Sequence, residues 1–165
     1  MFRKIGDFAA EWNRESAITL RVLEALTDES LKREIVPGRR TLGRLAWHLV
    51  ESLHYMTALG LTFEAPAEGR EVPASAAAIA DRYRRISAAL LDAVIAQWSD
   101  ESLAETQTVM GEPYENGRSL SFTLAHQAHH RGQMTVLMRQ AGVRLPDLYG
   151  PTYESWIEKG MEPLA

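Results

Sequence analysis

At 165 residues the chain is long enough to bury a core without disulfides or a structural metal, and its length fits a single domain over residues 1–165. A formal net charge of -4, with no Lys/Arg-rich block, excludes the electrostatic footprint of a DNA- or RNA-binding protein. There is no cysteine, which removes disulfides, thiolate ligands and a protein-borne thiol nucleophile together. Any metal must be held by imidazole, carboxylate, backbone or water.

The opening Met1–Asp7 lacks the apolar stretch of a signal peptide. No run approaches the roughly 18 apolar residues of a membrane span. The expectation is a cytoplasmic protein with no membrane partner.

The first segment, Phe2 to Leu26, places Ile5, Phe8, Ala9, Trp12, Thr19, Leu20, Leu23 and Leu26 at helical spacing, with charges opposite. Thr27–Ser30 ends it, and Pro37-Gly38 confirms the break. Thr41 is the predicted N-cap of a second helix reaching Leu59 or Gly60. Its inward stripe is Leu45, His48, Leu49, Ser52, Tyr55, Met56 and Leu59, so His48 sits among core positions. There it is either a hydrogen-bonded core residue or a ligand.

Residues 60–74, with Pro66, Gly69 and Pro73, form a loop longer than a tight antiparallel turn requires. Ser75 opens a third helix through Trp98, with Ile79, Tyr83, Ile86, Leu90, Val94 and Gln97 on one side. Asp81, Arg82, Arg84, Arg85 and Asp92 form the solvated side. In the connection 99–118 a helical turn is expected at Asp100–Leu103. Thr106–Met110 has extended character but makes no convincing strand, and turn residues follow. Ser119 is the predicted cap of a fourth helix ending at Gln140, with Gly142 as its stop. Its core series reads Phe122 or Thr123, His126, His130, Gln133 and Leu137. Beyond it the prolines leave room only for a short helix, Tyr153–Lys159. Four long helices without strands predict an all-α four-helix bundle.

The chemistry concentrates in His126-Gln127-Ala128-His129-His130-Arg131-Gly132-Gln133, which holds three of the chain's 5 histidines. His126 and His130, at i and i+4, share one helix face. His48 and this pair lie at matching depths in helices 2 and 4. They offer three neutral imidazoles with a coordination position left open. Three buried imidazoles are costly without partners, and one metal ion satisfies all of them.

Two competing motifs fit less well. The zincin helix needs Glu where Gln127 stands, and an amide cannot act as general base. Glu51-Ser52-Leu53-His54 matches one half of a di-iron bundle signature, but no second copy exists. His54 also lies about 240° around the helix from His48. His129 points about 100° away from His130 and reads as a supporting or helix-contact residue. Gln133, one turn past His130, could orient a bound water or substrate, or could be a buried amide bonded to another helix. Gly132, costly within a helix, suggests close approach of a helix or ligand.

Leu45-Ala46-Trp47-His48-Leu49, the HQAHHRGQ block at 126–133 and the tail GVRLPDLYGP at 142–151 together resemble the DinB/YfiT-like family of damage-inducible-type proteins over essentially the whole chain. The resemblance implies an up-down-down-up bundle, with residues 60–74 as the long crossover between helices 2 and 3. It implies a divalent metal, nickel or zinc, on His48, His126 and His130. It also implies a homodimer, and S-transferase or isomerase activity toward a low-molecular-weight thiol and an electrophilic substrate.

The residues suit that chemistry. A three-His cation with an open position would lower the pKa of a thiol, which this cysteine-free chain must take from outside. A hydrolase using metal-bound water, and a non-catalytic metal-binding stress-response protein, are the alternative expectations. Hydrolysis would need a general base, and Glu51, the nearest carboxylate in sequence, falls off the His48 face.

Overall fold

The computed structural model describes residues 1–64, 71–109 and 111–163. Four long helical segments carry the fold. They are α1 (Ile5–Glu24), α2 (Leu42–Glu51, continued as a 3-10 helix over Ser52–Leu59), α3 (Ala76–Gln97) and α4 (Asn116–Gln140). A short α5 (Tyr153–Glu158) closes the chain.

Local chemistry sets several of these boundaries. Thr41 Oγ1 accepts the Arg44 N–H at 3.0 Å, and Ser75 Oγ accepts that of Ala78 at 3.4 Å, each satisfying a free donor at a helix start. Gly142, at φ +71°, ends α4 in the left-handed conformation that costs glycine nothing.

Paired contacts give the helix directions. Ile5 N–H donates to Asp100 Oδ1 at one end of α1, and Glu24 pairs with Arg84 at the other, so α1 and α3 run antiparallel. Phe2 N–H meets the Gly117 carbonyl, and Thr19 meets Arg131, so α1 and α4 run parallel. Gln127 reaches the Leu49 carbonyl, while Tyr55 Oη donates to that of Ser119, so α2 and α4 are antiparallel. The bundle is therefore up-down-down-up, as expected. Helices α2 and α3 thus run parallel. Pro66 and Gly69, part of the expected crossover, lie outside the described residues.

The core runs through all four helices, with Phe8, Trp12, Leu49, Leu53, Met56, Tyr83 and Leu90 fully buried. Phe8 stacks on Trp12 at 5.8 Å between centroids, and the Trp12 indole donates to the Ser87 carbonyl at 2.9 Å. Truncating a side chain such as Leu49 to Ala would cost about 2–5 kcal/mol.

Several expectations need correction. Helix 2 leaves α geometry at Ser52, a change that apolar spacing does not signal, since i,i+3 and i,i+4 repeats do not separate α from 3-10 over two turns. A two-stranded hairpin exists: β1 (Thr106–Val109) pairs antiparallel with β2 (Glu112–Glu115), in strands too short for period-2 patterning to register. Met110, the end of the expected extended segment, lies outside the described residues. The fourth helix starts at Asn116. Ser119 is buried inside it, where its carbonyl accepts from Tyr55 Oη at 2.9 Å and from Thr123 Oγ1 at 2.9 Å. Gln97 is exposed and clamps Thr62 N–H and C=O with its amide.

Candidate metal centre

His48 projects from the last α-turns of α2, and His126 and His130 from successive turns of α4. The antiparallel pairing of these helices brings the three rings together, with centroids 5.1 Å (His48–His126), 4.6 Å (His48–His130) and 4.5 Å (His126–His130) apart. One ligating nitrogen from each lies within 4.8 Å of the other two. These residues could hold a metal ion. Among the described residues this is the one such group, and it contains no carboxylate.

The donor chemistry fits a borderline-soft divalent cation. His126 Nε2 and His130 Nε2 are 3.1 Å apart, close to the roughly 3.3 Å expected between imidazole nitrogens in a tetrahedral shell. His130 Nδ1 lies 2.7 Å from Gln133 Oε1. The amide oxygen can only accept, so Nδ1 carries the hydrogen and Nε2 presents its lone pair to the cluster.

Burial and mutual repulsion favour neutral rings. Burial, with His130 and His126 adding to it, lowers His48 to about 4. Burial likewise lowers His126 and His130, and the Gln133 hydrogen bond partly opposes this at His130. Neutral imidazole is the ligating form.

The remaining residues singled out from the sequence fall outside the cluster. His129 is exposed and touches only the edge of it, its ring 4.8 Å from that of His130. His54 is exposed against Phe63, and Glu51 is held by Arg44 at 2.6 Å. Gln127 points away from the cation position into the bundle, its Nε2 donating to the Leu49 carbonyl at 3.0 Å. Gln133 is exposed and bonds along its own helix, so it is not a buried amide bonded to another helix. Gly132 has open space around it, and no neighbouring helix makes the close approach expected there. Phe122 is also exposed, leaning over His126 at 5.7 Å. Of the expected core series Thr123, His130 and Leu137 are buried, and Leu120, Gln127, Arg131, Met134 and Met138 complete the face of α4 that enters the core.

Sequence reasoning missed a buried polar cluster behind the histidines. Arg131, 1% exposed, donates to the Glu15 carboxylate, to the Glu15 carbonyl at 3.0 Å, to Thr19 Oγ1 at 2.6 Å and to Tyr149 Oη. Tyr149 Oη in turn donates to Glu15 at 2.6 Å. The cluster locks α1, α4 and the C-terminal tail together and fixes the rotation of α4 one residue away from His130. Its signal was available: Glu15 falls three residues after Trp12 on the apolar face of α1, and Arg131 falls between Gln127 and Met134 on that of α4.

An up-down-down-up bundle that gathers three imidazoles from its second and fourth helices defines a class of four-helix proteins with a histidine site able to take a metal. The family model described as "DinB family" matches residues 1–161, and the chain belongs to that family. It is 47% identical to the protein YrdA of Bacillus subtilis strain 168 over 163 residues, covering 98% of each chain. It is similar to the crystal structure of a DinB-like protein from Bacillus cereus ATCC 10987, with TM-score 0.87 and 43% identity over 90% of this chain and 100% of that one. The fold, at TM-score 0.67 and 16% identity, is also that of the DinB-like protein YjoA from Bacillus subtilis, over 88% of this chain and 99% of that one.

No helix of the described residues is long and apolar enough to cross a membrane.

Proposed function

We propose that the chain is a divalent-metal-dependent enzyme that transfers a low-molecular-weight thiol to an electrophilic substrate, with His48, His126 and His130 holding nickel or zinc. The observation that carries this reading is a ligating cluster of three imidazoles with neither carboxylate nor cysteine in it. Bound there, a divalent cation supplies Lewis acidity that lowers the pKa of a thiol.

The chain's own residues set the conditions for that chemistry. Gln133 holds His130 in the tautomer with a free Nε2 lone pair. Burial keeps all three rings neutral near pH 7. Gln127 ties α4 to α2 at the cluster's level, and Tyr55 does so about two turns away. Phe122 supplies an exposed apolar surface beside His126 that suits an electrophile. In the transfer an S–H bond breaks and an S–C bond forms. The proton goes to solvent, and the leaving group departs with its electron pair. Hydrolysis by an activated water fits less well, because Glu51 is engaged by Arg44 and no carboxylate joins the cluster.

The test is titration of nickel-loaded protein with small thiols, followed by the metal's absorption. The expected result is a saturable change that disappears in His126→Ala. Absorption indifferent to every thiol, in protein that does hold nickel, would leave a non-catalytic metal-binding protein as the better account.

A further inference from the structure

Beside the three-histidine cluster runs a cleft of about 500 Å³ that the chemistry above does not use. One border is the loop between Arg33 and Thr41; the other is the C-terminal half of α4. The loop is pinned at both ends. Glu34 bridges Thr41, Leu42 N–H donates to the Arg33 carbonyl at 2.8 Å, and the Arg33 guanidinium reaches the Gln140 carbonyl. Gly38, at φ +75°, makes the turn between. A loop so fixed holds its side chains in place over α4.

Arg39 and Arg40 both line the cleft, and among the described residues neither makes an ion pair. The loop's own carboxylate, Glu34, turns back to the Gly38 N–H at 3.2 Å. Apart from Gln133, the rest of the lining is apolar. Ile35 and Val136 are about half exposed, at 57% and 47%, with Leu45 and Leu137 buried behind them.

The cleft leads to the cluster: Gln133, which lines it, is hydrogen-bonded to His130, and Leu45 lies three residues before His48. The positive charge of Arg40 is felt at all three imidazoles, where it opposes their protonation.

Accordingly, we infer that this cleft seats the tail of the thiol and selects one that carries a carboxylate, with Arg39 and Arg40 gripping the carboxylate and Ile35 and Val136 covering an apolar spacer. The inference rests on the thiol-transfer reading for the end of the ligand that reaches the histidines. Guanidinium groups bind carboxylates through paired N–H donors, and two of them on a fixed loop make the contact directional. An uncharged thiol of the same length gains only the apolar contact.

The test measures calorimetric affinities of the nickel-loaded full chain at low ionic strength for three probes. These are mercaptohexanoate, with thiol and carboxylate at opposite ends; mercaptohexanol, with a hydroxyl in place of the carboxylate; and hexanoate, which has no thiol. Each is repeated on the double variant Arg39→Gln/Arg40→Gln, with its nickel content and melting temperature as checks of folding. Mercaptohexanoate is expected to bind wild type about tenfold more tightly than mercaptohexanol. The double variant should lose that preference while keeping its affinity for mercaptohexanol. Equal affinities in wild type, or a preference that survives in the variant, would overturn the assignment.

Hexanoate separates this failure from that of the thiol reading. If neither thiol perturbs the nickel absorption, the thiol reading falls. Hexanoate binding that weakens in the double variant would still uphold the arginine cleft, and binding absent or unaltered would overturn it.

Discussion

His130 and Gln133 stand one helical turn apart, and the 2.7 Å hydrogen bond between Nδ1 and Oε1 decides which nitrogen of the imidazole faces His48 and His126. The bond is local, needing only α4 to be helical, and it prepares one member of the triad for ligation. Outer partners of this kind change metal affinity about 10- to 100-fold in proteins generally. Gln133→Ala should therefore weaken nickel or zinc binding about tenfold in a chelator competition, while Gln133→Glu should preserve it. Equal affinity in Gln133→Ala would show that the ring needs no such support.

Acid should destabilise the metal-free protein through the same histidines. Burial holds His48 at about 4 in the folded state, against an ordinary histidine value of 6.5. Between those values the unfolded chain binds more protons, so stability rises with pH there. The contribution is full above about 6.5 and is lost as pH falls toward about 4. His126 and His130, also lowered, act in the same direction. The urea midpoint of metal-free wild type should fall more steeply between neutral pH and the lower limit of this window than that of His48→Gln. Parallel pH profiles would contradict this.

Arg131 and Glu15 form a buried pair whose partners cannot be removed singly without cost. Arg131→Ala strands a buried carboxylate, and such losses run to about 3–5 kcal/mol. Tyr149→Phe removes two hydrogen bonds to charged groups, one donated to Glu15 and one accepted from Arg131, and should cost at least about 1.5–3 kcal/mol. Urea unfolding of both variants measures these values. A loss below about 1 kcal/mol for Arg131→Ala would mean that the cluster is solvated in solution.

Two glycines of α4 should respond oppositely to alanine. A Cβ at Gly132 would meet nothing within 4 Å, so Gly132→Ala should stabilise by about 0.4–1 kcal/mol. At Gly117 a Cβ would run into the Phe2 carbonyl, and Gly117→Ala should destabilise by opening the contact between the chain's start and α4. Thermal melts check both, and the signs must differ.

The bundle and the triad were legible because their signals are periodic and local. His126 and His130 share a face wherever a helix forms, and His48 fell in an apolar stripe at a matching depth. The register of α4 was harder. Its buried face carries Gln127 and Arg131, which a hydropathy pattern assigns to solvent, so Phe122 and Gln133 were drawn inward in their place. Glu15 was passed over on α1 for the same reason, although an acid on one apolar stripe and a base on another announce a buried pair. Arg39 and Arg40 gave no periodic signal at all. Their meaning depends on a loop that only the packed fold sets against α4.

The proposed chemistry requires a divalent ion held by His48, His126 and His130, and metal content measures this directly. Wild-type protein, loaded with nickel or zinc and dialysed, should retain the ion by elemental analysis. His48→Ala, His126→Ala and His130→Ala should each lose it, whereas His54→Ala and His129→Ala should keep it. Retention undiminished in His126→Ala, or loss in His54→Ala, would contradict the assignment of the site.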